Sequence, residues 1–452
     1  MKILRTAAVG VAAALALAAC GSGDGPTGEP AGDNTSEAGS ITLWLAGGDT
    51  PDTLREYLTT TFEAENPGSK LVIEQQDWGD LVTKLTTALP DAANTPDVVE
   101  LGNTQSSTFT NVGAFLDISD MYEELGGDKL VPGFVEAGVV DGANFTLPYY
   151  FGSRYVFYRK DLWAAAGVEV PKTLAEFNET VATITSAQPN GIPNLSGFWI
   201  GGQDWRNGIS WIFANGGELA VQKDGQWTST MSDPKSIKGL EQLQEIWTSA
   251  SKAPRDAKDD NTYNHLNDSD AVEAADGTTT SYSLDAATVM APGWAHWSVG
   301  DLVTKDGKEV REWNDERFGV FTLPNVDGTG PAPVFAGGSN IGISAKSQNP
   351  ELAKSLMRII FSDEYQQMLG ENGLGPGNSD HVDALGDDQF ATALIESALG
   401  AKLTPAAPGW AALENSKKLE EFFGQIASGA DVTATAKAFD AAATPILNGA
   451  AG

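Results

Sequence analysis

The chain has 452 residues, of which 41% are apolar and 20% charged. This composition is typical of a folded soluble protein with roughly two to three domain cores, and it excludes disorder as the main state. The 61 Asp+Glu residues outnumber the 28 Lys+Arg residues, giving a formal net charge of −33. Such a polyanion repels phosphate backbones and anionic headgroups, which argues against nucleic-acid binding and electrostatic membrane adhesion.

The first 20 residues have the pattern of an export signal. Lys2 and Arg5 precede an apolar stretch over residues 7–19, which is shorter than the ~20 residues of a membrane-spanning helix and has the length of a signal-peptide core. The single cysteine, Cys20, follows Leu-Ala-Ala, which resembles the lipobox of bacterial lipoproteins. We expect a signal peptide over residues 1–19, a lipid anchor at Cys20 on the extracytoplasmic face of the cell membrane, and a flexible tether over residues 20–39. An ordinary signal peptide with an incidental cysteine is the alternative.

From residue 41 the chain alternates between strand and helix patterns. The sequence predicts strands over residues 41–46, 70–75 and 97–101. It predicts helices from Thr50-Pro51 to about Asn66 and over residues 80–89, with apolar residues at helical spacing. This alternation predicts a parallel sheet covered by helices, with a ligand crevice beyond the carboxyl ends of its strands, at residues 46–50 and 102–106.

The pattern changes near Pro148. An aromatic stretch over residues 148–153 leads into an apolar run at 154–158, which we interpret as a crossing into a second lobe. Further along, we predict the remaining elements from apolar periodicity and from glycine and proline positions. They are a strand over residues 318–324, a Gly-rich turn over 337–340, a strand over 341–344, a helix starting at Asn349-Pro350, and a helix over 432–447.

Several segments, in this order, resemble the maltose-binding-like extracellular solute-binding proteins of bacterial ABC importers. They are ITLW at 41–44, FEAENPG at 62–68, WGD at 78–80, Lys84-Leu85, PDVV at 96–99, MAPGW at 290–294, GVFTLP at 319–324 and NPELA at 349–353. The resemblance implies an α/β, two-lobed periplasmic-binding-protein-like fold with discontinuous lobes, a hinge and an inter-lobe cleft. It implies an N-terminal lobe of residues 40–150 plus 320–375 and a C-terminal lobe of residues 151–319 plus 376–452.

The tryptophans point to carbohydrate. Trp205, Trp294 and Trp410 lie in Gly- and Pro-rich sequence, whereas large apolar rings are usually buried in a core. A pyranose has an apolar C–H face that suits an aromatic platform and a polar rim that suits amides and carboxylates. The alternative is that each ring caps a core. The family resemblance favours ligand contact for Trp294 and Trp410.

Polar ligand candidates come from the crevice and the crossing segments. Asp49 follows the first strand, and Asn103 and Gln105 follow the third. Amides both donate and accept hydrogen bonds, as a ring of hydroxyls requires. Asp49 could instead cap the following helix, and Asn103 could support a turn. The further candidates lie in the crossing and returning segments, and are Tyr150, Arg154 and Asn340. Arg154 could instead pair with an acid, and Tyr150 could pack at the hinge.

Sequence signatures of catalysis are weak. His265, His296 and His381 have no metal-site spacing, so no metal or cofactor is expected. The acidic stretch 256–276 lacks the order of ligands of a calcium loop, and we interpret it as a solvated loop. We expect a monomeric lipoprotein, not an enzyme, that captures a mono- or small oligosaccharide by lobe closure and delivers it to ABC permease subunits. The alternatives are a secreted glycoside hydrolase, a binding protein of this fold for a non-sugar solute, and an adhesin.

Overall fold

The computed structural model describes residues 39–258, 261–273, 279–305 and 307–449. The signal peptide, Cys20, the tether up to residue 38 and part of the acidic stretch 256–276 lie outside these residues. The strands of the described residues are β1 Ser40–Ala46, β2 Lys70–Gln76, β3 Val98–Gly102, β4 Val139–Val140, β5 Ala143–Asn144, β6 Thr146–Arg159, β7 Ala220–Lys223, β8 Gln226–Ser229, β9 Asp270–Glu273, β10 Thr279–Tyr282, β11 Thr288–Pro292, β12 Asp301–Lys305, β13 Lys308–Glu312, β14 Phe318–Phe321, β15 Ala336–Ile343 and β16 Gly375–Pro376.

The helices of the same residues are α1 Asp52–Glu65, α2 Leu81–Ala88, α3 Asn103–Thr110, α4 Pro132–Ala137, α5 Lys160–Ala166, α6 Leu174–Ala187, α7 Trp205–Ala214, α8 Pro234–Ser249, α9 Pro350–Ile360, α10 Asp363–Glu371, α11 Gln389–Gly400, α12 Trp410–Asn415, α13 Lys418–Ala427 and α14 Val432–Leu447. None of the described helices combines the length and the apolarity that crossing a bilayer requires.

The N-terminal part has the predicted strand and helix alternation. β1 pairs in parallel with β2 and β3, and the buried side chains Ile41, Leu43 and Leu45 alternate along it. Leu58 of α1 packs with these residues in one hydrophobic core, here called the first core, to which α9 and α10 also contribute. The predicted strands and helices of this region are confirmed, with bounds shifted by one or two residues.

β6 is shared by two halves of the sheet. Residues from Thr146 to Ser153 pair with β15, which lies next to β3. Residues from Arg154 onward pair with β11, and β14 pairs with the same end of β6. One strand therefore changes partners between Ser153 and Arg154, where the sequence predicts the crossing.

A second hydrophobic core is built mainly from helices. It contains residues of α6, α7, α8, α13 and α14, with Trp211 and Trp247 fully buried. α6 begins with a capping box in which Thr173 and Glu176 satisfy each other's backbone N–H groups. The predicted C-terminal helix is confirmed at Val432–Leu447.

The return of the chain to the first core differs from the sequence prediction in one way. The predicted Gly-rich turn at residues 337–340 is wrong, because these residues belong to β15, with a bulge between Ser339 and Asn340. Gly338 has a φ of +128°, and a Cβ there would overlap the Tyr150 carbonyl oxygen, so this glycine permits close strand pairing. Leu323, Ala332 and Val334 pack in the second core, whereas Ile341 packs in the first. The lobe limits of residues 40–150 plus 320–375 and 151–319 plus 376–452 stay a prediction.

Candidate functional site

Asp49 is held in place at the carboxyl end of β1. Its Oδ2 accepts hydrogen bonds from Trp78 Nε1 at 3.0 Å and from Tyr150 Oη at 2.9 Å, while the residue itself stays exposed. It does not cap the following helix, because α1 has no side-chain cap, and Thr50 bonds Tyr149 Oη instead. The structure thus joins two predicted residues, Asp49 and Tyr150, and gives an exposed carboxylate a fixed orientation.

Asn103 and Gln105 lie in α3, a helix that the sequence prediction missed. Its sequence, NTQSSTFT, has no apolar periodicity, yet most of the helix is buried. Asn103 is buried and donates its Nδ2 to Ala336 O at 2.9 Å, which ties α3 to the start of β15. Gln105 is half-buried and its Oε1 has no hydrogen-bond partner among the described residues. A Cβ on Gly102 would lie 3.3 Å from Gln105 Oε1 and 3.4 Å from the Trp78 ring, so Gln105 and Trp78 lie side by side.

Glu100 is a buried acid that sequence reasoning missed. It is completely buried in β3, and its Oε2 accepts the Ala46 backbone N–H at 2.8 Å. Burial raises the pKa of its carboxyl to about 8, against the opposing effects of the Ala46 N–H and the Ser339 hydroxyl. The sequence feature that could have revealed Glu100 is a single acid inside the apolar strand sequence Val98-Val-Glu-Leu101.

Arg154 and Asn340 are both buried. Arg154 Nη1 donates to Asn207 Oδ1 at 3.1 Å, and its guanidinium lies 5.7 Å from the centre of the Phe335 ring. Asn340 Nδ2 donates to Phe134 O at 2.8 Å and to a side-chain oxygen of β6 at 3.2 Å. In this conformation both side chains make contacts within the protein near the crossing strands.

Trp205 and Trp410 are brought together, but in the interior. Each is only 1% exposed, and their rings meet edge to face at 6.2 Å. Neither Nε1 atom has a hydrogen-bond partner among the described residues. Arg206 lies over the Trp205 ring at 4.5 Å and forms an ion pair with Glu414 at 2.6 Å.

Helices of the two cores meet beside this pair. Thr104 Oγ1 of α3 lies 3.4 Å from Glu414 Oε2 of α12, and the Ala411 backbone N–H donates to Thr108 Oγ1 at 3.3 Å. α3 follows a strand of the first core, while α12 belongs to the second. Polar contacts therefore join the two cores at α3 and α12.

Trp294 lies in a six-residue 3-10 helix, Gly293–Ser298, directly after β11. The Trp294 side chain is 51% exposed and meets Tyr263 edge to face. Trp297, which sequence reasoning did not select, is 59% exposed. Its ring lies 3.4 Å from where a Cβ on Gly373, in the loop after α10, would stand. The two indoles, three residues apart in this 3-10 helix, both expose apolar surface.

Each of the three histidines contacts an aromatic or acidic side chain. His265 stacks on Trp199 at 3.7 Å, His296 stacks on Phe390, and His381 contacts Asp363. Burial lowers the pKa of both His265 and His296. Within the described ranges, no group of three or more His, Cys, Asp or Glu side chains is placed to hold a metal ion.

Two cavities lie away from the predicted site residues. One, of about 390 Å³, is lined by Asp301, Val303 and residues 312–316. The other, of about 290 Å³, is lined by residues between Tyr122 and Val139. Neither is lined by Asp49, Trp294 or another predicted ligand residue.

Comparisons with known proteins agree on one family and one fold. The family described as bacterial extracellular solute-binding protein matches residues 47–367. The diacetylchitobiose binding protein DasA of Streptomyces coelicolor is 33% identical over 425 residues, covering 92% of this chain and 91% of that protein.

Solved structures with a similar fold include the GacH receptor of Streptomyces glaucescens, with a TM-score of 0.70 and 20% identity over 91% of this chain and 99% of that one. The sugar-binding protein MalE from Xanthomonas citri has a TM-score of 0.71 and 20% identity over 90% of this chain and 97% of that one. At this identity the two structures show the fold alone, which is the predicted two-lobed α/β architecture.

Proposed function

Because this chain belongs to the family of bacterial extracellular solute-binding proteins, we propose that it captures a short N-acetylated chito-oligosaccharide and delivers it to the permease of an ABC importer. The observation that carries this proposal is the 33% identity to the diacetylchitobiose binding protein DasA, which extends over 92% of the chain. The aligned region therefore includes segments of both the first core and the second core.

The chemistry of the described residues suits a neutral saccharide. The exposed Asp49 carboxylate is an acceptor for hydroxyl and acetamide N–H groups, and so is Gln105 Oε1, a buried atom with no hydrogen-bond partner among the described residues. The exposed rings of Trp294 and Trp297 offer platforms for the apolar faces of pyranose rings. A ligand without charge also suits a chain whose net charge is −33.

We propose that ligand capture closes two lobes about β6. This strand pairs with β15 on one side of Arg154 and with β11 on the other. A ligand that contacts both lobes favours the closed form by its difference in affinity for the two forms. The contacts between α3 and α12 are then contacts of the closed form. An affinity in the micromolar range corresponds to about 8 kcal/mol of binding free energy.

We also propose that the protein acts as a lipid-anchored monomer without catalytic activity. The Leu-Ala-Ala-Cys20 sequence supports the anchor. A glycoside hydrolase would need two carboxylates roughly 5–9.5 Å apart that flank the scissile bond. Glu100, an acid on the strand beside β1, is completely buried, so it would not form such a pair with Asp49.

The experiment is a ligand panel by thermal shift, with diacetylchitobiose, triacetylchitotriose, maltose and mannitol. We expect the two N-acetylated saccharides to raise the melting temperature and to be recovered uncleaved. A shift with maltose alone would reject the N-acetylated class, no shift with any saccharide would reject sugar capture, and released monosaccharide would reject a pure binding role.

The anchor is tested separately by expressing the full chain and the Cys20→Ala variant in a bacterial host. We expect the wild-type protein in the membrane fraction and the variant outside it. Equal release of both would reject lipidation at Cys20.

A further inference from the structure

The indole of Trp78 lies across the carboxyl ends of three parallel strands. Trp78 follows shortly after β2, and a Cβ on Gly47, the residue after β1, would stand 2.6 Å from Trp78 Nε1. A Cβ on Gly102, the last residue of β3, would stand 3.4 Å from Cζ3 of the same ring. Because β1 lies between β2 and β3 in the sheet, one ring reaches the ends of all three strands. This is the edge beyond which sheets of this kind bind their ligands.

Acceptor groups stand at two edges of this ring. At one edge, Asp49 Oδ2 accepts hydrogen bonds from Trp78 Nε1 at 3.0 Å and from Tyr150 Oη at 2.9 Å. Both side-chain donors found for Asp49 in the described part of the chain thus bind the same oxygen, and Oδ1 keeps its capacity to accept. Near the Cζ3 edge, Gln105 Oε1 is buried and has no hydrogen-bond partner in that part of the chain. Such an acceptor needs a donor from a ligand or from water.

A second indole shows what Trp78 would look like in a purely structural role. Trp44 is half-buried, packs against the same hydrophobic cluster as Trp78, and donates its Nε1 to Glu74 Oε2 at 2.9 Å. It lies within β1, opposite residues of β2 and β3. Trp78 is half-buried as well, but it lies beyond the strand ends and fixes the exposed carboxylate of Asp49. The two rings therefore share their packing and differ in their distance from the crevice.

We propose that Trp78, Asp49 and Gln105 form the subsite for an N-acetyl group of the saccharide. The inference rests on the proposed function, because it concerns which part of the same ligand these residues recognise. An acetamide has an N–H donor, which suits Asp49 Oδ1 or Gln105 Oε1, and an apolar methyl group, which suits the face of an indole. A hydroxyl in its place keeps a donor but has no methyl group for the ring. Trp78 therefore determines the preference for N-acetylated saccharides.

Isothermal titration calorimetry with diacetylchitobiose and cellobiose measures this preference. The two disaccharides share ring configuration and linkage, and differ in carrying acetamido groups or hydroxyls at the same ring carbon. We expect the wild type to bind diacetylchitobiose at least ~10-fold more tightly than cellobiose, as an apolar contact of this size allows. Trp78→Ala should weaken diacetylchitobiose binding by ~10-fold or more and cellobiose binding by ~3-fold or less, so that most of the preference is lost.

Two further variants separate the ring from its surroundings. Trp44→Ala is the matched control, because it removes an indole from the same cluster and a hydrogen bond to an acid. It should keep both wild-type affinities. Gln105→Ala should weaken binding of both disaccharides by about fivefold, the size of one neutral hydrogen bond, since its acceptor serves an N–H or a hydroxyl alike. Unchanged affinities in Gln105→Ala would overturn the place of Gln105 in the subsite.

Equal losses for the two disaccharides in Trp78→Ala, or the same loss of preference in Trp44→Ala, would overturn the inference. If Trp78→Ala does not fold by circular dichroism, Trp78→Phe replaces it. Phenylalanine keeps an apolar ring in the cluster but is smaller and has no N–H, so the preference should fall by about threefold. An unchanged preference in that variant would refute the role of Trp78. A wild type that binds neither disaccharide would instead refute the proposed function.

Discussion

The tetrapeptide Ala-Pro-Gly-Trp occurs twice in this chain, at residues 291–294 and 407–410, and its two tryptophans have opposite environments. Trp294 is 51% exposed on a turn that follows an edge strand, whereas Trp410 is 1% exposed and begins α12 in the second core. The preceding glycines explain the difference. Gly409 lies against the end of α14, where a Cβ would overlap the Ile446 carbonyl oxygen, while the atoms nearest to a Cβ on Gly293 belong to the Tyr155 ring. Local sequence therefore does not set the exposure of an indole; the element that packs against it does.

The largest expected effect is a difference in fold stability between alanine variants of the two tryptophans. Trp410→Ala should lower the free energy of unfolding by about 3–5 kcal/mol, because it leaves a cavity in a packed core. Trp294→Ala should change it by less than ~1 kcal/mol, since half of that side chain already lies in water. Urea denaturation followed by circular dichroism measures both. Equal losses would contradict the assignment of one ring to the core and the other to the surface.

Alanine substitutions of the two preceding glycines test the same difference. Gly409→Ala should destabilise the fold by ~1–3 kcal/mol, because the backbone of α14 must move to admit the methyl group. Gly293→Ala places its Cβ 3.1 Å from the Tyr155 ring, which can shift by a few tenths of an ångström, so the loss should be clearly smaller. Melting temperatures of the two variants measure this. A larger decrease in melting temperature for Gly293→Ala than for Gly409→Ala would contradict our explanation of why the two tetrapeptides differ.

Ligand affinity should depend on the exposed indole. We expect Trp294→Ala to weaken diacetylchitobiose binding by ~10-fold or more, about 1.4 kcal/mol, through loss of a stacking platform. Trp227→Ala, on β8 at the edge of the second core, is the matched control and should keep the wild-type affinity in calorimetry. Unchanged affinity in Trp294→Ala would remove this residue from the site.

A smaller effect is expected at Trp297. Its ring touches the loop at Gly373, so Trp297→Ala should weaken the same binding by about threefold, roughly 0.7 kcal/mol. The Trp294→Ala and Trp297→Ala double variant then measures whether the two rings act together. A greater loss of affinity in Trp297→Ala than in Trp294→Ala would show that Trp297, not Trp294, is the more important platform.

Much of the fold follows from apolar patterns in the sequence. α1 and α9 were predicted from apolar spacing, β1 from an apolar run rich in strand-forming residues, and α14 from its alanine-rich sequence. Apolar residues of these elements pack in the two cores. α3 could not be predicted in this way, since polar contacts such as Ser106 Oγ to Thr146 Oγ1 at 2.6 Å hold its buried face. The turn predicted at Gly337-Gly338 was wrong because glycine serves close strand pairing as well as turns.

The candidate site was predictable in part. Asp49 and Tyr150 follow from their places at a strand end and at the crossing, and the structure joins them through one hydrogen bond. Asn340 and Arg154 are buried against other elements, which depends on tertiary packing that no local pattern reports. Glu100 was missed because its neutral state results from complete burial, and sequence alone does not give burial.

The most direct test of the account is a crystal structure of the protein with diacetylchitobiose. We predict one saccharide between the two lobes, with a hydroxyl or acetamide N–H bonded to Asp49 and a pyranose ring against Trp294. A saccharide bound away from both residues, or a protein that stays unliganded at saturating concentration, would contradict the account.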